Sequence, residues 1–409
     1  MADAWESQEN SMTEARIVAV TFQSPPLVKM EEFANLVAAD PGGDTVAQVI
    51  RNSAITTKGM AVNALLEDPR RWTTRRRMDR SLTEARRLGS ETVSAALAEA
   101  GLRPEEVGLF ATVTTTTHSA PGLDALAPEL GLRGDVELLS LGPMGCYAAV
   151  PAVSACAHWV AVKRRPAVLL AVDLFSPHVQ PPPYDKEQAV VLTLFGDGAA
   201  AVVLVPGGTK GGAQGGPRGR RPGSERTAGP ARGPVAGSAR GPAAGSPWRP
   251  AAGSPWGRTV DEQGGVEIVD AEQLTAPAHA EDLQVHMGDS GLRIRLKPSM
   301  PDVVAGSVAI PARALLARHG VRWADVAWWA VHPGGRRILD RVDEALGLPE
   351  RSMATARDVM REYGNTAAPA VLEVLRRLQT TRPLAAGEHG VVLACGPGAT
   401  VWALLLRGA

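Results

Sequence analysis

The stretch LSLGPMGCYAA, residues 139–149, decides how the rest of this chain is read. It joins a β-rich run, DVELLSL (135–141), to a long apolar segment, CYAAVPAVSACAHWVAV (146–162), through Gly142 and Gly145. Strand, tight turn and helix follow from that pattern. Cys146 then stands at or near a helix N-terminus. There the helix dipole and free N–H groups favour thiolate, so a lowered thiol pKa is expected. The bland alternative is a buried, inert cysteine. Two later segments, around His332 and Asn365, weigh against it.

Outward from this point the chain alternates strand-like and helix-like stretches. ARIVAVTF (15–22) reads as a first strand, and residues 30–51 carry helical spacing broken at Pro41–Gly43. PRRWTTRRRMDR (69–80) reads as a basic surface patch, either a solvated face or an anchor for the phosphates of a nucleotide-bearing substrate. Ser81 is predicted to cap a helix, with Glu84 completing a capping box and Gly101 ending it. VGLFATVTTTT (107–117) is a strand running into a polar loop, and PAVLLAVDLF (166–175) a strand with both faces buried.

LFGDGAAAVVLV (194–205) is a Gly-Asp-Gly turn leading into an apolar strand, and ACGPGATVWALLL (394–406) does the same with Gly-Pro-Gly. Gly196 and Gly396 stand 200 positions apart, which points to two similar α/β halves. In the second half, GVEIVD and SGLRIRL read as strands, and Pro301 starts a helix. AWWAVHPGG (327–335) is a buried strand ending at His332, followed by the amphipathic helix RRILDRVDEALGL. REYGNTAAPAVLEVLRRL (361–378) is a Gly-Asn turn feeding a helix that Asn365 is predicted to cap.

Composition bounds the function class. Residues number 409, 44% of them hydrophobic, enough for a large core, and formal net charge is zero. No global field draws such a chain to nucleic acid or to a membrane. Three cysteines are too few for a disulfide framework and suit a reducing, cytoplasmic setting. The polar, acidic start is unlike a signal peptide, and no membrane span is expected. The expected organisation is a loose tail (1–15), a first half (16–206), an insert (207–258) and a second half (259–409). The insert is almost all Gly, Pro, Ala, Ser and Arg, so it is expected to be a disordered linker, with a basic tether as the sharper alternative.

Cys146, His332 and Asn365 all fall at ends of regular elements, where ligands gather in α/β sheets. A histidine after an apolar strand is often merely hydrogen-bonded, and an asparagine at a helix start often merely caps. Together they supply a nucleophile, a base and an amide donor, the parts of an acyl-transfer site.

These residues carry a resemblance. GCYAA at Cys146, LFGDGAAAVV after Leu194, WAVHPGGRRILDRVDEALGL around His332, REYGNTAAPAVLEVL around Asn365 and Gly396–Gly398 resemble type III polyketide synthases. Those are chalcone-synthase-like homodimers of thiolase fold, and the likeness spans about residues 15–406 outside the insert. It implies an α/β chain with two duplicated halves in αβαβα layers. It further implies that Cys146 is acylated by a starter acyl-CoA. His332 and Asn365 then donate to the malonyl-CoA carbonyl as CO₂ leaves, and the enolate attacks the acyl-Cys146. No metal and no cofactor beyond the CoA substrates is implied.

Phe195 matches the family's gatekeeper, and Ile294 stands where a second phenylalanine is usual. Thr115, Phe175, His178 and the Gly396, Pro397, Gly398 turn are implied to contact substrate. Phe175, His178 and Val285 are bulkier than the family pattern, which implies a small cavity and a short product. The loop 114–126 matches a dimer-crossing loop but carries Ala120 where methionine is common. Arg51 and Lys58 are the nearest matches to the residues that hold CoA phosphates, and an acyl donor on a carrier protein stays open. The competing readings are a carrier-protein-dependent 3-ketoacyl synthase, an acyltransferase using the same three residues, and a non-catalytic partner subunit.

Overall fold

No side chain of the strand Ala167–Asp173 reaches solvent, and only its last residue is polar. A strand of that kind must be covered on both faces. Successive residues feed different cores: Leu169 and Ala171 point into one, Val168, Leu170 and Val172 into another. This is a computed structural model, and it describes residues 14–207 and 265–409. The expected tail and insert lie almost wholly outside the described residues.

The first half runs β1 (Ala15–Gln23), β2 (Leu27–Lys29), α1 (Met30–Ala38), α2 (Gly43–Arg51), β3 (Thr57–Gly59), α3 (Thr74–Ala100), β4 (Leu109–Val113) and β5 (Glu137–Leu141). It continues with α4 (Ala149–Lys163), β6 (Ala167–Asp173), α5 (Lys186–Leu194) and β7 (Gly198–Pro206). The second half runs β8 (Val266–Thr275), β9 (Leu283–Gly288), β10 (Gly291–Leu296), α6 (Met300–Arg318), β11 (Val326–Val331) and α7 (Arg336–Leu346). It ends with α8 (Ala354–Tyr363), α9 (Ala368–Thr381), β12 (His389–Gly396) and β13 (Thr400–Gly408).

Nine strands form one sheet in the order β11-β12-β13-β8-β1-β7-β6-β4-β5. The two halves of this sheet repeat one plan. From the centre outward the first half reads β1, β7, β6, β4, β5, and the second reads β8, β13, β12, β11. In each, the last strand of the half lies antiparallel between the first strand and the remaining parallel ones. Among the described residues the second half has no counterpart of β5, and the half-sheets pair through Arg16↔Glu267 and Ile17↔Val266.

Five layers result. α3 covers the outer face of the first half-sheet, and α6 with α7 covers the outer face of the second. α4 and α9 lie between, each touching strands of both half-sheets. A helix clamped between two sheets has no solvent face, which explains the apolar, alanine-rich sequence of α4 and the buried run Ala368–Leu375 of α9. α6 is long and apolar enough to cross a membrane, but half of it is buried on the second half-sheet.

Three expectations about helix starts are corrected. α3 begins at Thr74, capped by the Thr73 hydroxyl, and Ser81 lies inside it with its hydroxyl bonded to Thr117. Part of the basic patch is therefore helix, and Arg77 is fully buried. Its guanidinium donates to the carbonyls of Arg70, Trp72, Pro177 and Val179. Cys146 sits in a turn three residues ahead of α4. Asn365 does not cap α9: Ala367 precedes it, and Asn365 lies in an isolated parallel bridge with Phe195.

Candidate active site

The duplication brings the three residues together. Cys146 precedes α4 of the first half, and Asn365 precedes α9, its counterpart in the second. His332 follows β11, at the end of a parallel strand. All three line one cavity of about 30 Å³, with Leu194, Phe195, Leu283, Leu296, Met300, Val304, Ile338, Cys395 and Gly396 among its other walls. They are 8%, 1% and 2% exposed, so the chemistry is shielded from bulk water.

The backbone fits these parts closely. The Asn365 N–H donates to Leu194 O (2.8 Å), and its carbonyl accepts from Gly196 N–H (3.1 Å). This close pass needs glycine: a Cβ on Gly196 would stand 2.2 Å from the Tyr363 carbonyl oxygen. On the other side, a Cβ on Gly396 would be 3.2 Å from the Cys146 nitrogen and 2.9 Å from the Tyr147 ring. The Asn365 Oδ1 accepts from Ala367 N–H (2.9 Å). That bond turns the amide so that Nδ2 faces the Cys146 sulfur at 3.9 Å.

His332 is not satisfied. Neither ring nitrogen has a hydrogen-bond partner among the described residues, although the side chain is buried. Leaving a buried polar group unpaired costs about 1–3 kcal/mol. No hydrogen bond among the described residues accounts for this histidine, and both of its ring nitrogens stay available.

The electrostatics overturn one expectation. Burial is the main cause that pushes the Cys146 thiol above its ordinary pKa, with Cys395 and Asp173 adding to it and the Asn365 contact opposing. A helix terminus contributes roughly 0.3–1 kcal/mol, whereas full burial shifts a pKa by up to ~3–5 units. Burial therefore wins. It also lowers His332 to about 3. Burial thus favours the neutral form of each group, thiol at Cys146 and uncharged imidazole at His332.

A pH dependence follows. His332 is neutral in the folded state down to about pH 3, while the unfolded side chain titrates near 6.5. Between these values the unfolded chain binds the extra proton, so this stabilising contribution is present above pH 6.5 and lost as pH falls toward 3. Wild type is expected to lose unfolding free energy between pH 6.5 and 4 more steeply than His332→Gln, by denaturant titration. Parallel slopes would contradict it. Asp173, raised to about 7 chiefly by burial, acts in the opposite direction but equally in both proteins.

The remaining expected site residues fall in several places. Phe195 lines the cavity and stacks on Phe175 (ring centroids 4.5 Å apart). Beyond these rings a second pocket of about 40 Å³ is lined by Phe175, Phe195, His178, Ile294 and Lys58. His178 bonds the Thr116 carbonyl (3.1 Å) and is held neutral, at about 3, mainly by burial. Ile294 and His178 thus lie behind Phe195 and not against Cys146. Thr115 does not line the cavity. Its hydroxyl accepts from Gly145 N–H (3.2 Å), beside the nucleophile.

Gly396 lines the cavity. Pro397, Gly398 and Val285 line a separate hollow, so Val285 does not narrow the space at Cys146.

Arg51 and Lys58 both have their charges engaged within the chain. The Arg51 guanidinium is taken by Glu31 (3.0 Å) and Asn35 (2.6 Å). Lys58 is 2% exposed; its ammonium donates to the Leu192 carbonyl and lies over the Phe33 ring, and burial lowers it to about 8.

The way in is an open cleft of about 880 Å³, lined in part by Lys186, Lys297, Arg336 and Arg337. It shares Leu194, Leu296, Gly334 and Ile338 with the inner cavity. Of the cavity's apolar walls, Leu194, Phe195 and Ile338 fall inside the quoted LFGDG and HPGGRRILD stretches, whereas Leu283, Met300 and Val304 come from segments that no motif marks. Among the described residues no cluster of His, Cys, Asp or Glu could hold a metal.

Comparison with known proteins gives a consistent result. Residues 28–210 match the family described as FAE1/type III polyketide synthase-like protein, and residues 267–409 match chalcone and stilbene synthases, C-terminal domain. A 1,3,6,8-tetrahydroxynaphthalene synthase of Streptomyces peucetius is 30% identical over 332 residues, covering 80% of this chain and 74% of that protein. An alpha-pyrone synthesis polyketide synthase-like protein of Mycobacterium tuberculosis is 26% identical over 393 residues, covering 93% and 87%. Among solved structures, PKS-I of the brown alga Ectocarpus siliculosus superposes with a TM-score of 0.78 at 24% identity, covering 97% of this chain and 98% of that one.

Proposed function

This chain belongs to the type III polyketide synthases, and from that premise we propose that it condenses malonyl units from malonyl-CoA onto a starter acyl group held as a thioester on Cys146. The observation that carries the reading is the unpartnered His332 imidazole sharing one small cavity with the Cys146 thiol and the Asn365 amide. In the first stage His332 takes the thiol proton, the sulfur attacks the starter thioester, and the starter's C–S bond breaks to release CoA, which leaves as a thiol carrying that proton. In the second, the His332 and Asn365 N–H groups bond the malonyl thioester oxygen. Loss of CO₂ places negative charge on that oxygen, where preorganised donors count most. The enolate carbon then attacks the acyl-Cys146 carbonyl, the acyl–sulfur bond breaks, and Cys146 is freed as the extended chain passes to the CoA of the malonyl unit.

Acyl-CoA is the donor we favour. The cleft that reaches the cavity carries four basic side chains. Lys186 and Arg337 have no ion-pair partner among the described residues, while Lys297 is paired with Asp282 and Arg336 lies 3.9 Å from Asp340. The inner cavity holds about 30 Å³, the space of one or two water molecules. Loading must therefore displace wall side chains such as Leu194 or Ile338.

A homodimer is the assembly that fits best. β5 ends one side of the sheet with Leu138 and Leu139 exposed, and the loop that follows carries Cys146. An uncovered apolar edge strand invites pairing with a second copy. Sedimentation as a single chain would count against this. Three free thiols fit a cytoplasmic setting.

The deciding experiment is CO₂ release from labelled malonyl-CoA in the presence of a panel of acyl-CoA starters, repeated with carrier-protein thioesters. CO₂ release dependent on Cys146 supports the reading. Acylation of Cys146 with no CO₂ release would identify an acyltransferase instead, and turnover confined to carrier-protein thioesters would identify the ketosynthase alternative.

Product length has a residue of its own. Phe195 is the wall the two pockets share, and Phe175 packs on it from the second pocket, so removing the Phe175 ring gives Phe195 room to swing away from the inner cavity. Phe175→Ala is expected to join them and shift products toward more malonyl additions, read by mass spectrometry. An unchanged product profile in a folded variant would remove Phe175 from this role. Loss of the ring costs roughly 3–5 kcal/mol, so Phe175→Leu is the milder companion.

A further inference from the structure

Asp173 ends β6 below the cavity and is completely buried. Its Oδ1 accepts from the Thr115 N–H (2.6 Å), and its Oδ2 accepts from the Ala368 N–H (3.3 Å). Each contact leads to a catalytic side chain. Thr115 accepts from Gly145 N–H, the residue before Cys146. Ala368 opens α9, and Ala367 beside it holds the Asn365 amide in place. One carboxylate of the first half therefore reaches both the nucleophile's loop and the donor's helix in the second.

The duplicated plan shows why such a group is needed. β6 and β12 are counterparts, and each reaches the central helix of the opposite half. At the end of β12, Gly396 meets the Cys146 turn by close backbone approach. At the end of β6 the contact with α9 is made by the Asp173 carboxylate.

Resting on the synthase reading above, we propose that Asp173 is a positioning residue for condensation: it sets the separation of Cys146 from Asn365 by bonding Thr115 and Ala368 at once. It touches no substrate, since it does not line the cavity. It acts through the groups that donate to it, the Thr115 and Ala368 N–H groups together with the backbone and hydroxyl of Thr116. Its charge works against the nucleophile, because a nearby carboxylate disfavours thiolate at Cys146. Positioning and electrostatics thus predict opposite results for one substitution.

Asp173→Asn keeps the shape but can accept on one side only, so either Thr115 or Ala368 loses its bond. Misplacement on this scale is expected to lower kcat for CO₂-releasing condensation about 10- to 100-fold, with KM for acyl-CoA within about threefold of wild type. Alkylation of Cys146 by iodoacetamide, read above pH 8 where Asp173 is ionised, should stay the same or become faster, because a negative charge has gone. Wild-type turnover in Asp173→Asn overturns the proposal. So does a parallel fall in turnover and alkylation, which would mean general collapse of the site.

Should Asp173→Asn not fold, Thr115→Val and Thr115→Ser test the same link. The valine variant, lacking the acceptor for Gly145, should lose turnover, and the serine variant should keep it. Equal rates for the two overturn the proposal. A wild-type protein that releases no CO₂ overturns the synthase reading as well. An active wild type matched by Asp173→Asn overturns this inference alone.

Discussion

Cys146→Ala is expected to fold, bind acyl-CoA and never acquire an acyl group. Intact-mass measurement after incubation with a panel of acyl-CoA starters should show wild type gaining the acyl mass and the variant unchanged. Turnover should fall by roughly 10⁴–10⁶-fold, as when the nucleophile of a cooperating set is removed. The thiol is buried and small, so its loss costs about 1 kcal/mol of apolar contact, and the fold should hold. Acylation persisting in Cys146→Ala would move the nucleophile elsewhere. Cys395 lines the same cavity and is the first place to look.

The second large effect concerns the two donors. Asn365→Ala and His332→Ala should each reduce decarboxylation of malonyl-CoA by about 10²–10³-fold, the usual loss for one oxyanion donor. They should differ in the loading step. Asn365 contributes only a weak contact to the sulfur, at 3.9 Å, so its variant should still take an acyl group. In the proposed mechanism His332 accepts the proton of a thiol whose pKa burial has raised, so its variant should load slowly as well. Decarboxylation at wild-type rates in Asn365→Ala would leave the amide a structural role only. The fold pays for that variant too: Ala367 loses its acceptor, at roughly 1–3 kcal/mol.

The catalytic three were legible because each lies at an element end marked by glycine: Gly145 before Cys146, Gly334 and Gly335 after His332, Gly364 before Asn365. The glycines are local signals with a local cause. Gly145 and Gly364 take positive φ, and Gly364 passes within contact of the Leu194 carbonyl. The helix start at Ser81 was misread for the opposite reason. Its capping pattern is complete in the sequence, but Ser81 spends its hydroxyl on Thr117, 36 positions away, and the helix runs back to Thr74.

The state of the two residues expected to hold CoA phosphates is equally hidden from local pattern. Arg51 and Lys58 have the right charge, but their partners are Glu31 and Asn35 for one and the Leu192 carbonyl for the other. Sequence reports charge, and only packing reports whether a charge is already engaged. The thiol shows the same limit, since a helix terminus can be inferred from pattern but depth of burial cannot.

Local pattern is enough for the alternation of strands and helices, the repeat of one α/β plan, and the chemical kinds available at Cys146, His332 and Asn365. These follow from periodicity and turn chemistry, which act over a few residues. That the three share a pocket, that His332 has no partner among the described residues, and that Asp173 bridges the halves comes from long-range packing. Those facts depend on β6, α4 and α9 meeting between two half-sheets, and contacts between segments about 200 residues apart leave no trace in local pattern.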